Sequence, residues 1–273
     1  DEFLDIFKNK NHQKYASKFI LTFDDGLSDH YDFVYPELVR RGIFGIFYIP
    51  TFYLESKKIL DVHRVHLLVG RHGGNKMMQE LKKVYTQDML VKDYDPDFNT
   101  KTYVLPTSLD TNEINEIKFK KILNYLMSYE HRERILDILF NLLMEDVGYK
   151  DVYMSESEIR ELHDSGMIIG SHSESHKLMS RLSFQEQNNE IKNSFTALDN
   201  IVNGLSVKTF CYPYGGPFSY NKDSVSILNH HDVLFSFDVN SQDISRKNIS
   251  KGRHQLPRYD TVEFPYGISN LEC

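Results

Sequence analysis

The sequence predicts an α/β fold built on a parallel sheet. Three observations point there. Residues 19–49 read as strand, helix and strand with short connections, a βαβ unit that calls for parallel pairing. The same alternation resumes at Ser155. The chemically distinctive stretches each follow directly on a strand-like run, the arrangement expected where strand carboxyl ends gather on one face of a parallel barrel or open sheet.

In order along the chain, residues 19–23 (FILTF) read as a buried strand. Residues 28–41 carry apolar positions at helical spacing and stop at Gly42. Residues 43–49 (IFGIFYI) form a second apolar, β-rich run closed by Pro50. From 57 to 152 the character changes. Residues 74–90 and 114–144 are charged and helical in period, and 93–112 (DYDPDFNTKTYVLPTSLDTN) is loop-like. No glycine/serine linker flanks this block, so it reads as a mainly helical insertion after the second strand, within a single domain spanning 1–273. Ser155 with Glu158 three residues on is a capping-box start. Then come a strand at 167–170 (MIIG), a helix at 184–202, a strand at 207–211, a short helix at 224–230 and a strand at 233–239.

Hydrophobic residues make up 40% of the 273, enough for a core, and charged residues 26%. A net charge of −7 argues against nucleic acid or an anionic membrane surface as partner. Two cysteines, Cys211 and Cys273, are too few for a disulfide framework. No apolar run reaches 18 residues, so no transmembrane segment is expected, and no basic-then-apolar leader opens the chain. The expectation is a cytoplasmic protein. The first residue is Asp1 rather than Met, so an exported form stays open. The oligomeric state is not readable.

Three clusters carry chemistry. Asp24-Asp25 ends the first strand, and two adjacent carboxylates in a pocket stay ionised only beside positive charge. His172-Ser173-Glu174-Ser175-His176 follows MIIG; histidines four apart face the same way on a helical turn. One aspartate and two histidines make a three-ligand set for an open catalytic Zn²⁺ site, with Fe²⁺, Co²⁺ or Mn²⁺ as other candidates. The second aspartate is then free to act as base on a water that the metal activates. The third cluster, Cys211-Tyr212-Pro213-Tyr214-Gly215-Gly216, is a turn able to aim a backbone N–H at a pocket. Each has a bland counterpart: a solvated turn, surface histidines, a common Pro-Gly turn. Their joint placement after strands favours the site.

These clusters, in this order, resemble the NodB-type polysaccharide deacetylases, carbohydrate esterase family four. Thr22-Phe23-Asp24-Asp25-Gly26 matches the TFDDG motif, His172–His176 fits the HSxxH form, and Cys211–Gly215 matches RxPYG in part. The resemblance spans residues 19–50 and 155–260. It implies a distorted (β/α)7 barrel and metal-dependent removal of acetyl groups from sugars. By position it implies Asp25, His172 and His176 as metal ligands, Asp24 as general base, and the backbone N–H of Tyr214 at the oxyanion.

The departures concern the partners of the base. Cys211 stands where the family often has the arginine that steadies it, and Arg258, in the next strand, is the candidate replacement. The late Leu-x-His motif that usually supplies the acid has no clear match: His254 lies nearby in another frame and also reads as an exposed loop histidine. The Asp-x-x-Asp-Trp motif has no match in a chain without Trp, leaving Asp238 a positional candidate. His63 and His66, three apart at the start of the insertion, share a helix face and offer either a second acid source or ordinary surface histidines. The 17 Tyr and 18 Phe suit sugar stacking and core packing alike.

The leading expectation is therefore a deacetylase of an N-acetylated sugar, with a nucleotide sugar, a lipid-linked sugar or a glycan in surface-polysaccharide assembly as substrate. Two alternatives stand beside it: an amidase opening a non-sugar C–N bond on the same fold, and a catalytically weak glycan-binding homologue.

Overall fold

The computed structural model describes residues 4–5, 7, 18–90 and 110–264. The loop reading of 93–109 and the second cysteine, Cys273, lie outside the described residues. The chain divides into two compact units, one formed by Asp1–Lys57 with Val152–Cys273 and the other by Lys58–Asp151.

The first unit carries the sheet. Its strands are β1 (Leu21–Phe23), β2 (Gly45–Ile49), β3 (Ile168–Ser171), β4 (Thr209–Cys211) and β5 (Phe235–Phe237). They pair in parallel in the order β1-β2-β3-β4-β5. Every connection steps one strand further in the same direction. A doubly wound open sheet reverses its order at a switch point; this one does not, and so winds as a barrel does. That is the distorted barrel expected, with five strands among the described residues and one parallel bridge, Phe237 to Leu256, beyond them.

β2 to β5 are buried along their length, as strands covered on both faces must be. β1 differs from its expected burial. It is half-buried, and Phe19 ahead of it is 84% exposed, because β1 pairs with β2 on one side alone. Inward residues Ile46, Tyr48, Ile168, Val207, Cys211, Phe235, Phe237 and Leu256 form one apolar cluster. Tyr48 and Thr209 hydrogen-bond through it at 2.8 Å.

The helices follow their end signals. A π-helical turn, His30–Val34, runs into α1 (Tyr35–Arg41), which stops at Gly42 with φ 65°. α2 (Phe52–Ser56) follows β2. In the second unit, α3 (Asp61–Val84) begins well before the expected helix at 74–90 and is kinked at Gly73. The expected helical run at 114–144 is two helices, α4 (Thr111–Lys121, extended by a π-helical turn to Leu126) and α5 (Tyr129–Leu143). The break falls at Met127 and Ser128, whose extended backbone lets the Ser128 hydroxyl cap α5. This unit has its own apolar core, with Val65, Leu68, Leu81, Phe119, Leu123, Leu136 and Leu139 inside it. Back in the first unit are α6 (Glu156–Asp164), capped by the expected Ser155–Glu158 box, α7 (Phe184–Val202), α8 (Lys222–His230) and α9 (Arg246–Lys251). No helix among the described residues is long and apolar enough to cross a membrane.

Gly170 in β3 is the closest approach in the sheet. A Cβ there would lie 2.5 Å from Tyr48 Cε1 and 2.9 Å from Thr209 Cγ2. Gly170→Ala is expected to lower stability by about 1–3 kcal/mol, the usual cost of overpacking a core. Urea unfolding of variant and wild type measures it, and equal midpoints would show that β2 and β4 can part to admit a methyl group.

Candidate metal and catalytic site

β1 ends at Phe23, and the next residues turn sharply: Asp25 has φ 78° and Gly26 φ 64°. The two carboxylates take different partners. Arg258 Nη1 donates to Asp24 Oδ1 at 2.9 Å, and Nη2 donates to Oδ2. The same Nη1 donates to Thr22 Oγ1 at 2.9 Å. Arg258 arrives there because Leu256 is hydrogen-bonded beside β5, its N donating to Ser236 O and its O accepting from Asp238 N. Leu256 points into the core cluster, and two residues further along an extended chain the side chain returns to the same face. Burial alone would push the Asp24 carboxyl up. The charges of Arg258 and His172 and the Arg258 hydrogen bonds outweigh it and hold Asp24 below the usual aspartate value.

Asp25 faces the histidines. His176 Nε2 lies 3.2 Å and His172 Nε2 3.5 Å from Asp25 Oδ1. The expected helical turn is absent: residues 172–176 form a loop after β3. Positive φ at Ser173 (63°) and His176 (54°) does what the helix was expected to do, bringing the two rings to a centroid distance of 4.8 Å. His172 Nδ1 lies 2.8 Å from the carbonyl oxygen of Cys211. A carbonyl only accepts, so Nδ1 carries the proton and Nε2 presents a lone pair toward Asp25. Burial pushes His172 below the usual histidine range, against the pull of Asp24.

Cys211, at the end of β4, is a buried free thiol. Its Sγ lies 3.0 Å from Arg258 Nη2 and 3.5 Å from Asp24 Oδ2. Burial, with the negative charge of Asp24, drives this thiol well above its ordinary pKa in spite of Arg258. In the turn that follows, Tyr214 has φ 67° and its ring sits 5.0 Å from that of His176.

Two donor sets could hold a cation. Asp25, His172 and His176 each offer one atom within 4.8 Å of the others, and so do Asp24, His172 and Cys211. The second set has the Arg258 guanidinium against two of its members, and its thiol strongly favours the protonated form. The first set fits: one carboxylate and two imidazoles, one of them with its lone pair fixed by a backbone bond, suit a divalent transition ion.

The other sequence candidates are not members of these donor sets. His254 is not an exposed loop histidine; it is 3% exposed, with Nδ1 3.1 Å from Ser236 Oγ and Nε2 3.1 Å from Asn229 Oδ1. Burial pushes it down to about 4. Asp238 is buried and accepts from the Tyr220 hydroxyl at 2.7 Å. His63 and His66 lie on α3 of the second unit, His63 half-buried and His66 exposed. Their neighbours Asp61 and Arg64 are engaged in ion pairs with Arg132 and Asp137 inside that unit.

Comparison with known proteins bears on the fold and on part of the sequence. The polysaccharide deacetylase family model matches residues 121–235, a stretch holding both site histidines and the 211–216 turn. No curated protein sequence matches the chain. The deacetylase PplD of Streptococcus pyogenes, solved with acetate, superposes with a TM-score of 0.53 at 16% identity, over 94% of this chain and 70% of that one. A de-N-acetylase from Aggregatibacter actinomycetemcomitans gives 0.51 at 12% identity, over 94% of this chain and 75% of that one. The chain has the fold of the NodB-type deacetylases and resembles the polysaccharide deacetylases in sequence.

Arg258→Met tests the electrostatics. The Asp24 carboxylate would lose its counter-charge while staying three-quarters buried. A loss of about 2–3 kcal/mol is expected at pH 7, below the cost of breaking a fully buried pair. Asp24 is lowered in the folded protein, so the pair's contribution is full above the unfolded aspartate value and fades as pH falls through the folded one. The stability gap between wild type and variant should therefore narrow below about pH 4. Urea midpoints from pH 8 to 3 measure this; a gap constant with pH would assign the loss to packing.

Proposed function

We propose that this chain is a metal-dependent deacetylase that hydrolyses the N-acetyl group of a sugar in a glycan. The observation that carries the reading is the division of labour between adjacent carboxylates: Asp24 bound by Arg258, Asp25 turned to two histidines. A site that only bound metal would have no use for the second aspartate. The structural neighbours that share the fold over most of the chain are named as deacetylases, and the family match supports a polysaccharide as substrate.

Asp25, His172 and His176 would hold the ion, with Zn²⁺, Co²⁺, Fe²⁺ and Mn²⁺ all compatible with the donor set. Bound there, a divalent ion supplies Lewis acidity to the acetyl carbonyl and lowers the pKa of water. The chain's own residues do the rest. Asp24 takes the proton of the attacking water. Its low pKa makes it a modest base, and for the same reason a ready acid once protonated, so the proton it accepts can pass to the departing nitrogen. Arg258 fixes the Asp24 carboxylate through two hydrogen bonds, which leaves little freedom in where the proton is taken. The backbone N–H of Tyr214 would donate to the oxyanion as the carbonyl becomes tetrahedral. The products are acetate and a free amine on the sugar, the chemistry of surface-polysaccharide modification.

The test is acetate release from N-acetylated glucosamine oligomers, with metal content measured in the same preparations. Asp24→Asn should keep the metal and lose activity by about 10²–10⁴-fold, the usual weight of a general base. His172→Ala should lose both. Metal binding with turnover of cyclic ureides or imides and none of acetylated sugars would identify an amidase. Metal binding without turnover of either would identify a binding homologue.

A further inference from the structure

α7 carries a buried carboxylate that the proposed chemistry does not use. Glu190 is 7% exposed. Its Oε2 accepts the backbone N–H groups of Glu174 at 3.0 Å and Ser175 at 2.7 Å, and its Oε1 accepts the Ser175 hydroxyl. All three donors lie between His172 and His176. One helical turn on, Ser194 hydrogen-bonds Ser171 Oγ at 2.6 Å, and Ser171 Oγ accepts the Ser173 N–H at 3.2 Å. Asn193 donates to the Glu174 carboxylate at 3.0 Å. One face of α7 thus grips both sides of the loop that holds the two histidines.

The loop needs a grip. Ser173 and His176 both have positive φ, a backbone region that residues with a Cβ enter only when surroundings impose it. The Ser173 hydroxyl accepts the His176 N–H at 3.0 Å inside the loop, and β2 and its end tie down the outside, where Thr51 N donates to Ser173 O and Phe52 N to Glu174 O. Those bonds secure the carbonyls. The N–H groups at the tip, which point the other way, converge on Glu190. Without it, two part-buried N–H donors and a hydroxyl would lose their acceptor together, and the loop could relax toward ordinary φ values that part the His172 and His176 Nε2 atoms.

We infer that Glu190 is a positioning residue for the metal centre: a carboxylate on α7 that touches neither metal nor substrate and holds the His172–His176 loop in its ligating conformation. The inference rests on the metal-site part of the function proposed above. It is separable from the acetyl-sugar part.

The experiment uses the whole protein and Co²⁺ as probe, because the visible d–d bands of Co²⁺ report ligand number and geometry directly. Glu190→Gln keeps the shape but presents an N–H₂ group to a cluster of donors; Ser175→Ala removes one donor and leaves the carboxylate. Glu190→Gln should bind Co²⁺ about 10–100-fold more weakly than wild type, the usual effect of losing a supporting partner of a ligand. Its d–d spectrum should shift, while a metal-free circular dichroism spectrum matching wild type shows that the fold is kept. Glu190→Asp, which restores the charge, should recover part of the affinity. Ser175→Ala should give a smaller loss in the same direction, and serves if Glu190→Gln does not fold. Co²⁺ affinity within twofold of wild type and an unchanged spectrum in the folded variants would overturn the inference and leave the deacetylase reading standing. Co²⁺ binding that depends on Glu190 without acetate release would sustain the inference and overturn the deacetylase reading. A wild type that binds neither Co²⁺ nor Zn²⁺ would overturn both.

Discussion

Two carboxylates on consecutive residues at the mouth of a buried sheet set the central constraint on the first unit. Unit charges about 4 Å apart repel by about 4 kcal/mol in the partly screened environment near a protein surface. The usual escape is for one acid to stay protonated. Here the two are treated differently: Asp24 has a counter-charge in Arg258, and Asp25 belongs to a set of three donor atoms that suits a cation. Arg258 grips Asp24 with both terminal nitrogens, and the His172 and His176 rings converge on Asp25. The left-handed backbone at Asp25 separates the two destinations. Everything else at the strand ends serves that separation: the 256–258 segment delivers the guanidinium, and the loop after β3 delivers the rings.

Those deliveries bend the backbone where it resists bending. Asp25, Ser173, His176 and Tyr214 all have positive φ, and all four sit in the turns after β1, β3 and β4. Such positions cost about 1–3 kcal/mol each when the residue is not glycine, and they persist only where neighbours over-determine them. For the loop after β3 those neighbours can be named, since β2, Ser171 and α7 all bond to it. By contrast Asn203, also at positive φ, ends α7, an ordinary place for Asn to adopt that conformation. Lys57 at the end of α2 and Asp232 after α8 also have positive φ, so the strain is concentrated at the site without being confined to it.

Much of this was legible in the sequence because it is local. Strand and helix existence follow apolar period, the α1 and α6 ends follow Gly42 and Ser155, and TFDDG and HSESH lie contiguous in the chain. What was misread depends on contacts between distant residues. The four-residue spacing of His172 and His176 suggested a helix because spacing says nothing of Ser171, Ser194 and Glu190, which impose a loop instead. His254 looked exposed because its segment is polar, yet its partners Ser236 and Asn229 come from β5 and α8. The helix that His63 and His66 share is the start of α3, where Val62, Val65, Leu68 and Val69 are buried at helical spacing and Asp61, Arg64 and Arg132 pair beside them. Glu190 had no sequence signal at all: it is one acid among many on a polar-faced helix until the loop it serves is seen.

The insertion is tolerated for a reason that also bears on the site. Its two ends, as they leave and rejoin the first unit, meet at the TFDDG turn. Tyr53 of α2 and Tyr153 stack at 4.1 Å, Met154 N donates to Gly26 O at 3.0 Å, and Ser28 N donates to Val152 O at 2.9 Å. The Tyr53 hydroxyl donates to Met154 O. With its ends clamped side by side, the length between them adds little to the entropy of closing the connection, which grows only with the logarithm of length. The clamp falls on Gly26 and Ser28, on either side of Leu27, which bridges Tyr153. The backbone that aims Asp25 at the histidines is thus fixed on one side by β1 and on the other by the closing of the insertion. The long segment between β2 and β3 enters and leaves at a junction where pinning its ends also stiffens the carboxylate turn.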